Sequence, residues 1–362
     1  MFNHPHSPNI RILMLAPCLG KFGGIESFCL TLIEDLVKKG FSVSLLRKKV
    51  SGFHDDGSID RNESEIRSTW LKNESDRFQS IFVEPRDPLI QRYAQESSLV
   101  HLHNPMVEGM KAAKKNGIPC VVTVYNWRRK GIHPRLWVWR WVVSQCARRW
   151  YISEFVWNTW EKSRKKNSAR LPVVSRMPTG EYPRHKRKGF LFIGRWVPNK
   201  GIRILIEAYR RISPDPKVWP LIMLGDGPLR NEIGRMIETE KIQGVEVTGF
   251  VSEQARMEFT KQAKWMVTPP HTKEDLGLTP LEARSVGVPC IASRDGGVKE
   301  TAGTGALFCE PGSIDSLEAC LRQAISMPEE DYRTKSKLAK KNLSEYVRPL
   351  DEYAEQYLSL LA

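Results

Sequence analysis

Short apolar segments alternate with amphipathic helical segments along this chain, and the alternation runs through two separate series. The first series opens with the apolar run IRILMLAP, continues with a glycine-containing loop, and then shows Phe28, Leu32 and Leu36 at helical spacing. The strand-like run FSVSLL follows Gly40, a residue typical of a helix C-terminus. A strand, a loop, a helix and a strand in this order predict parallel strands joined by a right-handed crossover.

The second series starts at GFLFIGRW, after a polar and basic passage with several prolines between residues 161 and 188. Each series predicts a doubly wound, Rossmann-like α/β domain. We predict an N-terminal domain over residues 1–180, a C-terminal domain over residues 181–345, and a last helix over residues 346–362 that packs back across the structure. Because ligands bind at the carboxyl ends of the strands in such folds, two facing domains are expected to form a cleft.

The composition is that of a globular protein, with 41% hydrophobic and 27% charged residues in a chain of 362. No apolar run approaches the roughly 18 to 20 residues that span a bilayer. The start MFNHPHSPN lacks the basic and apolar regions of a secretory signal. The seven cysteines are scattered, without a C-x-x-C pair, which is typical of reduced, buried thiols. We therefore expect a cytoplasmic protein.

The positive charge of the chain is concentrated in one region. Residues 111–188 contain 20 Lys and Arg and only three acidic residues, so this region carries a net charge of +17, and the rest of the chain carries −2, for a total of +15. A patch of this kind is able to meet nucleic acid, anionic lipid or an acidic substrate, and composition does not choose between them. The region contains no recognisable nucleic-acid-binding motif, so no nucleic acid is expected as a partner.

Two glutamates flank the start of a predicted helix in the segment KEDLGLTPLEARSVGVPCIAS. Thr279, Pro280 and Glu282 fit a capping box in which Thr279 is the N-cap, Pro280 is the first helical residue and Glu282 reaches back to the N-cap amide. Glu274 precedes the helix, and this capping pattern does not explain it. A capping role for Glu282 is compatible with ligand binding, since a carboxylate has about four acceptor sites.

Arg195 and Lys200 lie in the segment GRWVPNKG, between a predicted strand and a predicted helix. An arginine and a lysine at the end of a strand are able to neutralise a diphosphate, although the same residues also suit a solvated loop. The sequence contains no pair of aspartates separated by one residue, the pattern that often holds Mg²⁺ or Mn²⁺ against a nucleotide diphosphate. We therefore expect no metal and no cofactor, with the charge met by these cations and by the helix amides that follow Gly277.

Four segments of the second series, in this order and at this spacing, resemble the second domain of the family 4 retaining glycosyltransferases, which have the GT-B fold: FIGRWVPNKG, LGDGP, VTGFV and EDLGLTPLEARSVGVPCIASRDGGVKE. The earlier segment GKFGGIESFCLTLIEDLVKKG resembles the glycine loop and helix of the first domain. The resemblance implies that the N-terminal domain binds the acceptor and that the C-terminal domain binds a nucleotide sugar.

The resemblance also implies individual roles. Glu274, Arg195 and Lys200 would act at the reacting centre, where Glu274 contacts the sugar and the two cations hold the diphosphate. Glu282 of the Glu-x7-Glu motif would accept the ribose hydroxyls, and Val251 would meet the base. The remaining donor-binding residues would contact the phosphates through backbone groups: Gly23, Gly24, Gly277, Leu278 and Thr279.

The sequence departs from the family pattern at two positions. Many relatives have a histidine where this chain has Tyr125 or Asn126, and Tyr125 is a poor base because the usual pKa of tyrosine is about 10. Asp275 follows the first glutamate directly, so it is where we expect sugar recognition to differ. His103 and Tyr125 are the candidates for the acceptor side. We expect His101 to point to the opposite face from His103, which argues against a metal pair.

The tryptophan-rich segment RLWVWRWVVSQCARRW has two interpretations. It predicts either a half-buried helix with cationic edges or a surface that touches anionic lipid headgroups, with Trp137, Trp141 and Arg148 on one face. The second interpretation predicts a peripheral contact with an anionic membrane through residues 128–166, at the inner face of the membrane.

These observations favour a metal-independent, retaining glycosyltransferase that moves a sugar from a nucleotide-diphosphate sugar to an acceptor hydroxyl. The acceptor would be a glycan or a lipid-linked acceptor in polysaccharide or glycolipid biosynthesis. The alternatives are a nucleotide-sugar epimerase of similar architecture and a non-catalytic binder of nucleotide sugars or nucleic acid.

Overall fold

The computed structural model describes residues 10–18, 24–49, 75–129, 131, 134–171, 177–178, 180 and 182–362. The chain divides into two compact units. Unit 1 comprises Met1–Ser175 together with Arg348–Ala362, and unit 2 comprises Arg176–Val347. The last helix of the chain therefore belongs to unit 1.

Unit 1 is built on a parallel sheet whose described strands lie in the order β3-β2-β1-β4-β5-β6-β7. The strands are β1 (Arg11–Cys18), β2 (Ser42–Lys49), β3 (Phe78–Val83), β4 (Leu99–His103), β5 (Cys120–Val124), β6 (Arg148–Tyr151) and β7 (Ser168–Arg170). Its helices are α1 (Gly24–Lys38), α2 (Pro88–Gln95), α3 (Val107–Lys115), α4 (Pro134–Gln145) and α5 (Glu154–Trp160). Strand order reverses between β1 and β4, which is where doubly wound sheets bind ligands.

Unit 2 repeats this plan with the strand order β10-β9-β8-β11-β12-β13, again with parallel pairing throughout. The strands are β8 (Lys188–Ile193), β9 (Leu221–Leu224), β10 (Val245–Gly249), β11 (Ala263–Thr268), β12 (Cys290–Ser293) and β13 (Leu307–Cys309). Its helices are α6 (Ile202–Ile212), α7 (Arg230–Thr239), α8 (Glu253–Gln262), α9 (Leu278–Ser285), α10 (Gly296–Ala302), α11 (Ile314–Ser326) and α12 (Glu329–Ala339). The prediction of two doubly wound α/β domains is confirmed.

The final helix, α13 (Asp351–Leu361), covers part of the unit 1 sheet. Its predicted apolar face is buried through Tyr353, Ala354 and Tyr357. The Tyr357 hydroxyl lies 2.7 Å from Nδ1 of His101, and the Tyr353 hydroxyl donates to the carbonyl of Leu171. Aromatic packing and these hydrogen bonds together hold the end of the chain on unit 1.

The loops at the carboxyl ends of the unit 2 strands are joined by backbone contacts. The amide of His271, after β11, donates to the carbonyl of Asn199, after β8. Gly201 ends the turn that contains Asn199, with a φ of 73° and an added Cβ only 1.9 Å from the carbonyl oxygen of Pro269. Only glycine fits both this left-handed conformation and this close approach.

We predict that Gly201→Ala lowers the free energy of unfolding of unit 2 by more than about 1 kcal/mol, because the new methyl group meets a backbone atom and φ is unfavourable. Gly234→Ala is the matched control. Gly234 lies inside α7 with no atom within 4 Å of an added Cβ, so alanine there stabilises by about 0.5–1 kcal/mol. Urea denaturation of both variants measures the difference, and a Gly201→Ala protein as stable as the wild type would contradict the prediction.

Candidate active site

An ion pair joins the loops that follow β8 and β11 in unit 2. The Lys200 Nζ lies 2.5 Å from Oε1 of Glu274. The Lys200 side chain is 25% exposed and the Glu274 side chain is 12% exposed, so both charges remain within reach of a ligand. Two of the predicted catalytic residues, 74 positions apart in the sequence, are therefore in direct contact.

The segment that carries Glu274 is held by hydrogen bonds from β12 and α10 of its own unit. The Ser293 hydroxyl donates to the carbonyl of Pro270 and the Thr301 hydroxyl donates to the carbonyl of Leu276. The amide of Gly297 donates to the carbonyl of Glu274 at 2.7 Å. A Cβ at Gly297 would lie 2.3 Å from the carbonyl oxygen of Asp275, so glycine is needed for α10 to approach this closely.

Glu282 is buried on α9 and forms an ion pair with Arg256 of α8. The predicted capping box is wrong. Helix α9 begins at Leu278 with Gly277 as N-cap, and no side chain caps it. Because Gly277 adopts a φ of 87°, the chain enters the helix two residues earlier than predicted, which places Glu282 in the second turn.

No side chain caps the first amides of α9. Leu278 and Thr279 are the first two residues of the helix, and both are half-buried. A helix N-terminus has unsatisfied N–H groups and a partial positive charge, which suit an anion. Arg195 lies after β8 with its side chain exposed, above the buried Trp196.

The sequence pattern does not point to two residues near the predicted donor site, Arg256 and Phe250. Arg256 was missed because nothing in the sequence of α8 separates the arginine that meets Glu282 from its other charged residues. Phe250 follows β10 directly and is 73% exposed, next to the predicted base-binding residue Val251. Strand β10 ends at Gly249, so Phe250 and Val251 lie in the loop that follows it.

Of the two predicted glycines in the first domain, Gly24 is the first residue of α1. Gly23 lies outside the described residues. Predicted roles for both therefore stay predictions.

On the acceptor side, His103 and Tyr125 lie together at the ends of β4 and β5. The Tyr125 hydroxyl lies 2.8 Å from Nδ1 of His103, and Sγ of Cys29 lies 3.2 Å from the same nitrogen. Both residues are buried. Within the described residues, Nε2 of His103 has no hydrogen-bond partner.

The expectation that His101 and His103 face opposite ways is wrong. Their ring centroids are 4.1 Å apart, because side chains two residues apart on a strand point to the same face. Nε2 of His101 lies 2.8 Å from the Thr123 hydroxyl, and its Nδ1 faces Tyr357. No group of three or more His, Cys, Asp or Glu side chains within the described residues is arranged to hold a metal ion.

Burial controls the charge of this histidine pair. Burial lowers the pKa of His103 to about 3. Burial also lowers the pKa of His101 well below its usual value, and the neighbouring His103 lowers it further. Both rings are therefore neutral near pH 7, and His103 acts through hydrogen bonding rather than as a charged group.

The tryptophan-rich segment forms α4, which exposes Trp137, Val138 and Trp141. Arg148 does not share this helical face, because the helix ends at Gln145 and Arg148 begins β6. Arg140 lies over the ring of Trp137, with 6.0 Å between its Cζ and the ring centroid. Among the described helices none combines the length and apolar composition needed to cross a membrane.

Two family models match consecutive parts of the chain. The model for Glycosyltransferase Family 4 matches residues 22–176, and the model for Glycosyl transferases group 1 matches residues 179–342. Together they cover most of both units. The chain belongs to the GT-B glycosyltransferases.

Curated relatives of this glycosyltransferase align over a limited segment. The 2-deoxystreptamine N-acetyl-D-glucosaminyltransferase of Niallia circulans is 28% identical over 36% of this chain and 34% of its own length. The O-antigen chain mannosyltransferase B of Escherichia coli is 28% identical over 37% of this chain and 36% of its own length. The aligned segment thus spans little more than a third of these relatives.

Solved structures match this glycosyltransferase over nearly its whole length. The Anabaena protein Alr3699/HepE, solved in complex with UDP and glucose, is 16% identical, with a TM-score of 0.75 over 97% of this chain and 100% of that chain. At this identity the similarity establishes the fold.

We predict that this glycosyltransferase loses stability as the pH falls below about 6.5, because the unfolded state binds protons that the buried histidines exclude. His103 has a folded pKa of about 3, below its unfolded value. Its contribution is therefore complete above about pH 6.5 and decreases by about 1.4 kcal/mol per pH unit below that. Urea denaturation at pH 7.5 and pH 5.5 measures the change.

The control for this prediction is His185, which is exposed in unit 2. His103→Gln is expected to reduce the pH dependence of unfolding, whereas His185→Gln leaves it unchanged. An equal pH dependence in the wild type and His103→Gln would show that burial of His103 does not cause the loss.

Proposed function

We propose that this protein is a retaining glycosyltransferase that moves a sugar from a nucleotide-diphosphate sugar to an acceptor hydroxyl without a metal ion. The observation that carries the proposal is the contact between Lys200 and Glu274 beside the uncapped start of α9. The known relatives support it, since one is an O-antigen mannosyltransferase and a protein of the same fold was solved with UDP and glucose. We infer a role in polysaccharide or glycolipid biosynthesis.

In the proposed reaction the bond between the anomeric carbon and the diphosphate oxygen breaks, and the diphosphate leaves with the electron pair. Arg195, Lys200 and the amides of Leu278 and Thr279 stabilise the negative charge that develops on the leaving oxygens. The acceptor hydroxyl attacks from the face that the diphosphate leaves. Its proton passes to the departing diphosphate, so the configuration at the anomeric carbon is retained.

The two glutamates have separate roles in this proposal. Glu274, held close to Lys200, contacts the sugar hydroxyls near the reacting carbon. Glu282 accepts hydrogen bonds from the ribose hydroxyls, and its ion pair with Arg256 holds the carboxylate in place. A carboxylate has enough acceptor sites for both the arginine and a ribose. The backbone of Val251 contacts the base. Asp275 affects which sugar the site binds.

The absence of a paired aspartate motif from the sequence supports metal independence, because cations and helix amides are able to meet the charge of a diphosphate without a metal ion. An epimerase of similar architecture would turn over a nucleotide sugar without an acceptor. A non-catalytic binder would bind the nucleotide sugar and leave it intact. Product analysis with and without an acceptor separates these alternatives from transfer.

We predict that Glu282→Gln weakens nucleotide-sugar binding by roughly 1.5–3 kcal/mol, because a charged acceptor is lost. Lys200→Ala is expected to lower turnover roughly a hundredfold with a smaller effect on binding, because the cation acts on charge that develops as the diphosphate leaves. Titration calorimetry with UDP- and GDP-sugars measures binding, and transfer assays measure turnover.

The matched controls are Glu330→Gln and Lys217→Ala, which change exposed residues elsewhere in unit 2. Both are expected to bind and turn over as the wild type does. Transfer at the wild-type rate by both Glu282→Gln and Lys200→Ala would refute the site assignment.

A second part of the proposal concerns the partner of unit 1. Helix α4 presents Trp137 and Trp141, which are 63% and 42% exposed, alongside Arg135 and Arg140. Tryptophan with adjacent arginine suits the boundary between headgroups and acyl chains. We infer that α4 contacts an anionic membrane surface at its cytoplasmic face, where a lipid-linked acceptor would lie. Arg149 takes no part, since it is buried against Glu161.

We predict that the wild type sediments with vesicles containing phosphatidylglycerol and that a Trp137→Ala, Trp141→Ala variant does not, because the aromatic anchors are lost. Arg140→Gln is expected to lower the fraction of protein that sediments with the vesicles and to make that fraction less sensitive to salt. Val218→Ala changes an exposed apolar residue of unit 2 and serves as the control. Equal sedimentation of the double variant and the wild type would remove the proposed membrane contact.

A further inference from the structure

The carboxyl ends of β4 and β5 carry a polar surface that the donor site does not use. We define the β4–β5 surface as Asn104, Asn126, Trp127, Arg128 and Arg129. The side-chain amide of Asn104 donates to Oδ1 of Asn126 at 3.0 Å, and the backbone amide of Tyr125 donates to Oδ1 of Asn104. The two amides therefore form one fixed pair above the buried His103 and Tyr125.

The backbone of this surface is fixed from α5. The indole N–H of Trp160 donates to the carbonyl of Asn126 at 2.8 Å, and the amide of Arg128 donates to the Thr159 hydroxyl at 2.9 Å. Trp127 is half-buried beside Phe155, with 6.2 Å between their ring centroids. An aromatic ring held in place next to paired amides combines a flat apolar face with hydrogen-bonding groups of fixed direction.

The charges at this end of the unit 1 sheet are of two kinds. Lys48 pairs with Glu108, and Lys49 pairs with Glu84. Arg128 and Arg129, in contrast, form no ion pair with any residue that the structure describes. Arg129 lies over the Trp127 ring, 5.8 Å from its centroid. Two adjacent arginines that meet no carboxylate among the described residues favour an anionic ligand.

Asn104 adds a sign of strain at the same place. It has a φ of 75°, which is uncommon for a residue other than glycine. Strained backbone conformations of this kind occur at functional sites, where the surrounding structure maintains them. Asn104 therefore places a side-chain amide at a backbone position that glycine would adopt with less strain.

We propose that the β4–β5 surface binds the acceptor and that the acceptor is a saccharide with an anionic group, either a phosphate ester or a carboxylate. The pyranose ring packs against Trp127, the hydroxyls meet Asn104 and Asn126, and the anionic group meets Arg128 and Arg129. This inference rests on the proposed transfer function and adds the class of the acceptor.

The test uses four probes on the full chain: glucose 6-phosphate, glucuronate, glucose and inorganic phosphate. Saturation-transfer NMR is expected to show at least tenfold tighter binding of at least one anionic sugar than of glucose. Inorganic phosphate competes weakly, since it lacks a ring to pack against Trp127. Binding of phosphate as tight as that of glucose 6-phosphate, or no preference of either anionic sugar over glucose, would overturn the proposal.

Variants identify the surface. Trp127→Ala is expected to lower the affinity for the preferred anionic sugar at least tenfold, and Trp127→Phe is expected to restore most of it. The double variant Arg128→Gln, Arg129→Gln is expected to bind that sugar only as well as glucose. Arg92→Gln, which changes an exposed arginine of α2 outside this surface, is the control. Unchanged affinity in Trp127→Ala and in the double variant would place the acceptor elsewhere.

Asn104→Gly separates binding from folding. Glycine adopts the positive φ without strain but loses the two hydrogen bonds of the Asn104 side chain, so the variant is expected to melt cooperatively at or somewhat below the wild-type temperature while losing affinity for the anionic sugar. Wild-type affinity in this variant would exclude a binding role for the amide.

Nucleotide-sugar titrations on the same proteins distinguish a failure of the proposed transfer function from a failure of the proposed acceptor class. The β4–β5 variants are expected to bind the nucleotide sugar as the wild type does. A wild type that binds no nucleotide sugar refutes the transfer function, whereas intact donor binding without anionic-sugar preference refutes this inference alone.

Discussion

The contact between Lys200 and Glu274 depends on parallel strand pairing. β8 and β11 are neighbours in the unit 2 sheet, so the loops at their carboxyl ends meet although they are far apart in the chain. The same geometry brings the loops after β8, β9 and β10 together, where the amide of Trp196 donates to the carbonyl of Asp226 and the amide of Gly225 to that of Gly249. A site made of loops gains its rigidity from these backbone bonds, and glycine is required wherever two loops come too close for a Cβ.

The sequence predicted the elements better than their junctions. Apolar runs such as IRILMLAP and GFLFIG predict the central strands of both sheets, because these runs are buried. The outer strands β3, β6, β7 and β13 are not predicted by the sequence pattern. The start of α9 was misplaced because the left-handed conformation of Gly277 depends on its contacts with α10, which local sequence does not reveal. Helix α12 was missed for another reason. It buries only Tyr332, Ser336 and Ala339, too few apolar residues for a clear helical pattern.

The candidate site shows the same division. Residue type and the family resemblance together predict Arg195, Lys200, Glu274 and Glu282 as site residues, but they do not predict the partner of Glu282. Arg256 reaches it from another helix, and a long-range pair of this kind is set by the tertiary fold. The prediction that His101 and His103 face opposite ways is wrong because side chains two residues apart on a strand lie on the same face. Both rings lie on one face, burial lowers the pKa of each, and the last helix closes the cluster through Tyr357.

The concentration of positive charge between residues 111 and 188 does not describe one surface. Arg149 forms an ion pair with Glu161 and is not available to a ligand. Arg187 donates to the carbonyls of Lys261, Val286 and Gly287 inside unit 2. These arginines stabilise the fold, since a buried guanidinium must have its donors satisfied. The cations that remain for ligands are a smaller set, which includes the arginines on α4 and after β5. The net charge of this region therefore overstates the number of cations that are available to a ligand, because some of them are already bound to carboxylates or carbonyls within the protein.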